Sequence, residues 1–302
     1  MRCLNTYFDK KNNREFNCGH CMPCRINRTT QWTLRILFEL SEWDKASFCT
    51  FTYDDEHLPL DCSLHYEDLQ KFWKLLRRHY PNRKFKYYCC GEYGDKTFRP
   101  HYHAIIFGLD SYSKEDRQSV NDLWKYSSND YFYIGKDHKG ILPVCREDIR
   151  YVAGYVQKKL YGQKAKEVYG SRVAPFSRCS QGLGLETAKR NIEQFKFLGY
   201  TTLHGKRLAI PRYFRDKLNL NQQELITTNL TKEDIDKQGD YLTNKFLEEK
   251  GLDMSYFFGK DGKPNELAFR RLENWIQNYL FSIGDCINNQ FIQKQTLYRG
   301  KI

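Results

Sequence analysis

The segment RPHYHAIIF, residues 99–107, sets the fold around which the rest of this chain is interpreted. Its two histidines, His101 and His103, open an apolar run with two isoleucines, which is typical of a buried β-strand. Because side chains alternate faces along a strand, both imidazoles are expected on one face and Tyr102 on the other. Two neighbouring neutral imidazoles can hold one divalent cation. The segment therefore predicts a strand that carries two metal ligands.

A second motif, YVAGYVQKKL at residues 151–160, follows downstream. Its apolar residues recur at three- and four-residue spacing, which predicts an amphipathic helix with Tyr151 and Tyr155 one turn apart on one face. A phenol is a weak nucleophile near neutral pH because its pKa is about 10, but a neighbouring cation such as Lys158 favours the phenolate. Taken alone, the pair is better explained as packing residues, since the chain contains 22 tyrosines.

A third metal ligand is expected from the strand that precedes the histidines. Glu92 ends that strand, and the turn at Gly94–Thr97 predicts antiparallel pairing with the histidine strand. Glu92 then lies beside the imidazoles, although an ion pair with Arg99 explains this carboxylate equally well. Asp95 is a second candidate. A site of imidazole and carboxylate ligands accepts Mg²⁺ or Mn²⁺.

Together these motifs resemble the HUH endonucleases, in which two histidines around one bulky residue hold a metal ion and a helix carries a nucleophilic tyrosine. Tyr102 stands in the place of the bulky residue, and SFCTFTY at residues 47–53 is similar to the first strand motif of the family. The paired Tyr151 and Tyr155 match its two-tyrosine, rolling-circle branch. Three further segments make residues 1–190 similar to the replication initiators of microviruses, of the gokushovirus type: CGHCMPCR (18–25), GEYGD (91–95) and RPHYH (99–103).

This resemblance implies an enzyme that nicks one DNA strand at a phage replication origin. The three predicted ligands would hold Mg²⁺ or Mn²⁺, and Tyr151 or Tyr155 would form a 5′-phosphotyrosine and release a 3′-hydroxyl. The other tyrosine would later close the displaced circle, with Lys158 stabilising negative charge. The implied partners are single-stranded origin DNA, host DNA polymerase and helicase, in the cytoplasm of the host bacterium. Neither a membrane nor a small-molecule substrate is expected.

The N-terminal cysteines predict a second metal site. Cys18, Cys21 and Cys24 place three thiols in one short segment, and Cys3 or His20 supplies a fourth ligand. Tetrahedral zinc takes such sets and would stabilise a segment too short to bury a core. Iron–sulfur ligation uses similar spacing; zinc is favoured because nothing else suggests electron transfer, and reduced, unligated thiols are a further alternative. The odd total of 11 cysteines, without a secretory context, does not predict a disulfide framework.

The charge of the chain favours a nucleic-acid partner. Its formal net charge is +12, and residues 146–217 hold 16 Lys and Arg against 6 Asp and Glu, a balance of +10. Aromatic residues are interleaved with these cations, a combination that suits single-stranded nucleic acid, although an ordinary solvated basic face is the alternative. The cations predicted to contact DNA are Arg25, Arg28, Arg99, Lys159, Arg172 and Arg178.

The remaining pattern predicts an α+β fold, a central antiparallel sheet flanked by helices, because strands and helices mix without a regular βαβ rhythm. We expect a Cys-rich zinc module at 1–28, an HUH endonuclease domain at 29–217 and a helical region of unknown role at 218–302. Predicted elements include a helix at 28–43, a strand at 131–135 and a hairpin at 201–210. No apolar run is long enough to cross a bilayer, and the N-terminus does not read as a signal peptide.

Two other functions fit parts of this pattern. A non-catalytic, zinc-stabilised protein that coats or packages single-stranded DNA would explain the cysteines and the basic segment, but it would make the paired histidines and tyrosines coincidental. A transposase or plasmid relaxase of the HUH superfamily would keep the chemistry, and its one-tyrosine versions would need only one of the two tyrosines.

Overall fold

The structure, a computed structural model, describes residues 3–11, 13–127, 140–145, 148–149, 151–154, 162–203, 206–220, 232–259, 261–276 and 278–279. Contacts divide the described part into two units. One contains the described residues of Met1–Leu37 and Gly184–Ile287, and the other contains those of Phe38–Leu183. The N-terminal cysteines therefore share a unit with residues that follow Gly184, which the sequence did not suggest; the division at residues 28 and 217 stays a prediction.

The strands are β1 (Tyr7–Asp9), β2 (Arg14–Phe16), β3 (Ala46–Thr52), β4 (Lys86–Tyr93), β5 (Pro100–Phe107), β6 (Ile141–Pro143), β7 (Phe176–Cys179), β8 (Thr201–Leu203) and β9 (Lys206–Leu208). The helices are α1 (Met22–Leu40), α2 (Tyr66–His79), α3 (Lys114–Leu123), α4 (151–154), α5 (Gly162–Tyr169), α6 (Leu185–Arg190), α7 (Ile192–Leu198), α8 (Arg212–Lys217), α9 (Lys232–Lys250) and α10 (266–276), with a 3-10 turn at Met254–Phe257. This composition confirms the predicted α+β class.

Five of the strands form one antiparallel sheet in the order β6-β3-β5-β4-β7. The histidine strand β5 is its centre, and the predicted pairing with the preceding strand is confirmed, because Glu92 lies opposite His101. On the other side of β5, Thr50 of β3 lies opposite His103. The sheet therefore brings residues of three strands to one position.

A hydrophobic core covers the face of the sheet opposite the histidines. Helix α2 places Leu69, Phe72, Trp73 and Leu76 at the spacing of one helical face, and all four are buried. They share a core cluster with Tyr102, Ala104 and Ile106 of β5 and with Val120 and Trp124 at α3. Tyr102 therefore points into the core, as its alternation with the histidines predicts.

Some predicted elements differ from those observed. Helix α1 begins at Met22, six residues before the predicted start at 28, because Pro23 in the first helical turn is compatible with a helix that has already begun. The hairpin predicted at 201–210 is confirmed by the β8–β9 pair. The strand predicted at 131–135 lies outside the described residues. Across the described ranges, no helix combines the length and apolarity needed to cross a bilayer.

Candidate active site

The structure brings together the three residues that the sequence proposed as metal ligands. The Nε2 atom of His101 lies 2.9 Å from Oε1 of Glu92, and Nε2 of His103 lies 3.2 Å from the same oxygen. The side chains of Glu92 and His103 are each 8% exposed, and that of His101 is 19% exposed. Asp95, the second carboxylate candidate, is exposed in the turn and is not part of this group.

Hydrogen bonds at the far nitrogens orient both imidazoles. His101 donates from Nδ1 to the carbonyl oxygen of Arg99 at 3.2 Å, and Nδ1 of His103 is hydrogen-bonded to Thr50 Oγ1 at 2.8 Å. Because a carbonyl oxygen can only accept, Nδ1 of His101 carries the hydrogen. In both rings Nε2 is therefore the nitrogen directed at Glu92, which is the orientation that a shared ion requires.

Two residues of β3 support this arrangement, and the sequence did not single out either of them. Phe48 stacks on His103, with ring centroids 5.6 Å apart and an angle of 8° between the ring planes. Thr50, two residues later on the same face, supplies the hydrogen bond to that ring. The signal was their alternate spacing in SFCTFTY, but it acquires meaning only through the register between β3 and β5.

Tyr151 of α4 presents its hydroxyl to the group. The phenol lies 3.2 Å from Glu92 Oε1 and 3.3 Å from His103 Nε2, and its ring meets that of His103 edge-on at a centroid distance of 4.9 Å. Tyr151 is 43% exposed, whereas Glu92 and His103 are each 6% exposed. The phenol thus forms the solvent-facing side of an otherwise buried group.

Tyr102, although it stands between the histidines in the sequence, is a core residue. Its hydroxyl donates to the carbonyl oxygen of His65 at 3.0 Å and lies 2.9 Å from the hydroxyl of Tyr53. Burial raises the pKa of Tyr102 well above its usual value, so this phenol stays protonated. Tyr155, Lys158 and Lys159 lie outside the described residues, and their predicted roles stay predictions.

The arginines predicted to contact DNA occupy different settings. Arg99 pairs with Asp55 at 2.6 Å, and Arg25 donates to the His20 carbonyl oxygen at 2.8 Å. Arg172 lies over the ring of Phe98 at 5.5 Å, and Arg178 lies over that of Phe176 at 5.3 Å. Arg28, in α1, has its guanidinium near Gly19 of the cysteine segment. None of these settings tests a role in DNA binding.

The four N-terminal cysteines form a second group. The sulfur of Cys3 lies 3.4 Å from that of Cys18 and 3.7 Å from that of Cys21, and all four sulfurs lie within 4.8 Å of one another. Sulfurs in a tetrahedral zinc site are about 3.8 Å apart, given a zinc–sulfur distance of about 2.3 Å. His20, the alternative fourth ligand, instead holds the carbonyl oxygen of Cys18 through Nδ1 at 2.8 Å. A hydrogen bond with Cys24 lowers the pKa of Cys21 to about 4.

Comparison with known proteins places these features in a family. Residues 46–160, which include the histidine strand and Tyr151, match the family described as replication-associated protein ORF2. The chain is 31% identical over 246 residues to replication-associated protein VP4 of Bdellovibrio phage phiMH2K, covering 72% of this chain and 73% of the relative. It is 30% identical over 236 residues to replication-associated protein ORF2 of Spiroplasma virus 4, covering 73% and 72%.

A third relative, replication-associated protein ORF4 of Chlamydia phage 1, is 31% identical over 222 residues, or 67% of this chain and 53% of the relative. No solved structure matches the chain significantly. These relatives come from microviruses, and the alignments reach beyond the motifs themselves. The chain belongs to the family of phage replication-associated proteins.

Proposed function

We propose that this protein is a replication initiator that nicks one strand of phage origin DNA, with Tyr151 as a nucleophile in an HUH-type site. The observation that carries the proposal is the convergence of one phenol oxygen, one carboxylate oxygen and one imidazole nitrogen, with Tyr151 at 3.2 Å from Glu92 and 3.3 Å from His103. Membership of a replication-associated family agrees with it.

The donor set fits a divalent cation. The separations of 2.9 and 3.2 Å between Glu92 Oε1 and the two imidazole nitrogens match neighbouring ligands of one ion, which are about 3 Å apart for bonds of about 2.1 Å. His101, His103 and Glu92 would hold Mg²⁺ or Mn²⁺, leaving positions for phosphate oxygens. When bound, the ion would polarise the scissile phosphate and offset its negative charge.

The covalent step is a transesterification on Tyr151. The phenol oxygen forms a bond to the phosphorus while the bond from phosphorus to the 3′-oxygen breaks, which gives a 5′-phosphotyrosine and a free 3′-hydroxyl. The phenol proton passes to solvent, which reaches this side chain because it is 43% exposed, and the leaving oxygen takes up a proton from solvent. Since the phosphodiester is exchanged for another, rejoining needs no nucleotide cofactor.

The motif around Tyr151 supports a second step. Tyr155 follows at helical spacing, so after one round it would attack the regenerated origin, and the freed hydroxyl would close the displaced circle. Lys158 would stabilise the phosphate or phenolate charge, and Arg99, Lys159, Arg172 and Arg178 would bind DNA phosphates. The released 3′-hydroxyl would prime host polymerase, with helicase assistance, in the host bacterial cytoplasm.

The four cysteines, in this proposal, hold one structural zinc ion. The sulfur–sulfur distances of 3.4 and 3.7 Å suit a tetrahedral site, and thiolates are its preferred ligands. The ion would stabilise the N-terminal segment, with Arg25 and Arg28 beside it available to DNA phosphates. Iron–sulfur ligation remains the alternative that metal analysis would decide.

The covalent adduct tests the proposal directly. Labelled origin oligonucleotide is incubated with Mn²⁺ and the protein, and the product is resolved under denaturing conditions. We expect an adduct on Tyr151 or Tyr155, identified by mass spectrometry, and its complete loss in the double Tyr151→Phe, Tyr155→Phe variant. The matched control is Tyr112→Phe, which changes an equally exposed tyrosine outside the site.

Each other outcome assigns a different function. An adduct undiminished in the double variant contradicts the nucleophile assignment. Loss of all activity in Tyr151→Phe, with Tyr155→Phe unaffected through circle closure, indicates the one-tyrosine chemistry of a relaxase or transposase. Tight DNA binding without any adduct indicates a coating or packaging protein.

A further inference from the structure

We propose that the hairpin formed by β1 and β2 binds unpaired DNA by stacking bases on its exposed aromatic rings. The inference rests on the proposed function only in naming DNA as the nucleic acid. The hairpin lies between Cys3 and Cys18, so the cysteine cluster closes both of its ends. The proposal gives this module a direct part in handling the single strand rather than a purely structural one.

The pairing of the two strands places aromatic rings on both faces of the hairpin. Tyr7 lies opposite Phe16, and their ring centroids are 6.2 Å apart. Phe8 lies opposite Glu15, and because neighbouring residues of a strand point to opposite faces, its ring is on the other side. Bases could therefore stack on either face.

These rings are exposed to an extent that needs an explanation. Tyr7 is 60% exposed, Phe8 is 54% exposed and Phe16 is 42% exposed. A two-stranded hairpin is at best marginally stable by itself, and rings left in water add little to its stability. The cysteine cluster, not a core beneath these rings, is what can hold the hairpin together. Three large rings at its surface are thus available to a ligand.

The charge of the segment selects the ligand. Residues 1–30 contain six Lys and Arg and two Asp and Glu, a balance of +4. Lys10 and Lys11 are exposed at the turn, where Asp9 accepts a hydrogen bond from the Lys11 backbone at 2.9 Å and fixes the tip. Cations for phosphates beside rings for bases are the combination found at single-strand sites. In a duplex the bases are already stacked, so rings gain nothing there.

Binding to single-stranded DNA tests this inference without relying on cleavage. The full chain carrying Tyr151→Phe is titrated into a fluorescent oligo(dT), and binding is followed by anisotropy. A stacked base contributes about 1–3 kcal/mol, so Phe8→Ser should weaken binding about 5- to 100-fold. Phe8→Trp should restore it, with tryptophan fluorescence quenched by DNA. Tyr112→Ser, an exposed tyrosine elsewhere, should leave the Kd unchanged.

A second variant keeps the test decisive if Phe8→Ser disturbs the module, which metal content would reveal. The double change Lys10→Gln, Lys11→Gln should lower the slope of log Kd against log salt by about 0.7 for each lost phosphate contact. Unchanged binding by a correctly folded Phe8→Ser variant, or an unchanged salt slope, overturns the proposal, as does an equal loss of duplex binding. Failure of the adduct assay would leave this result standing, and the reverse also holds.

Discussion

The Nδ1 atom of His103 lies 2.8 Å from the hydroxyl oxygen of Thr50, on the neighbouring strand. A histidine that binds a metal through Nε2 must carry its hydrogen on Nδ1, so Thr50 would act as the acceptor that fixes this tautomer. The side chain is 8% exposed, and water has little access to replace it. Thr50 is therefore a positioning residue, which acts on the metal site through His103.

The substitution Thr50→Val removes this acceptor while keeping the shape of the side chain. We expect Mn²⁺ to bind about 10- to 100-fold more weakly, as for other lost partners of ligating histidines. Electron paramagnetic resonance of Mn²⁺ measures this affinity without DNA, and activity should return at high metal concentration. Thr50→Ser, which retains the hydroxyl, should bind the ion normally. Equal affinities for the valine and serine variants would contradict the positioning role.

The cysteine group makes a separate prediction about metal content. Purified protein should contain one zinc ion, and Cys3→Ser should lose or weaken it, because Cys3 lies 3.4 Å from Cys18 within the group. His20→Ala should retain the ion, since His20 is turned to a backbone carbonyl. Cys62→Ser is the matched control, a free cysteine outside the group. Elemental analysis decides the outcome, and iron with sulfide instead of zinc would refute the assignment.

The sequence predicted what depends on local geometry. The alternation of His101, Tyr102 and His103 determined which residue enters the core, and a short turn was enough to place Glu92 opposite His101. These are contacts between residues close together in the chain, where strand periodicity leaves few alternatives.

What the sequence missed depends on pairing between distant segments. Thr50 reaches His103 only because β3 and β5 pair in one particular register, across more than 50 positions. Strand β7 has the sequence FSRC, which shows no alternation of its own, and it becomes a strand by pairing with β4. The position of Tyr151 beside Glu92 is of the same kind, since the spacing of the tyrosines predicted a helix but not where it would dock.

Two glycines near the site should respond oppositely to the same substitution. Gly91 lies opposite Tyr102, and an added Cβ would approach atoms of Leu64, Phe176 and Tyr102 at 3.1 Å. Gly91→Ala should therefore lower the free energy of unfolding by about 1–3 kcal/mol through overpacking. Gly154→Ala, in α4, meets nothing within 4 Å and should stabilise the protein by up to about 1 kcal/mol. Urea unfolding measures both, and equal effects would contradict this account of the core.

The carboxylate of Asp116 should make stability depend on pH. Burial acts to raise its pKa, but two hydrogen bonds of 2.7 Å from Arg83 outweigh this effect, and the pKa lies below its usual value. A lowered pKa in the folded state stabilises the protein at pH values above the unfolded pKa of about 3.9, and this contribution is lost as the pH falls through the folded pKa.

Asp116→Asn should accordingly cost about 2–3 kcal/mol at pH 7, since Arg83 is partly solvated but loses its charged partner. The difference from the unmodified protein should narrow below about pH 4, where Asp116 itself becomes protonated. Thermal unfolding between pH 3 and pH 7 measures it. The matched control is Asp55→Asn, because Asp55 is 79% exposed in its pair with Arg99 and should change stability by less than about 0.5 kcal/mol. A penalty for Asp116→Asn that stays constant down to pH 3 would show that packing, rather than the ion pair, sets its contribution.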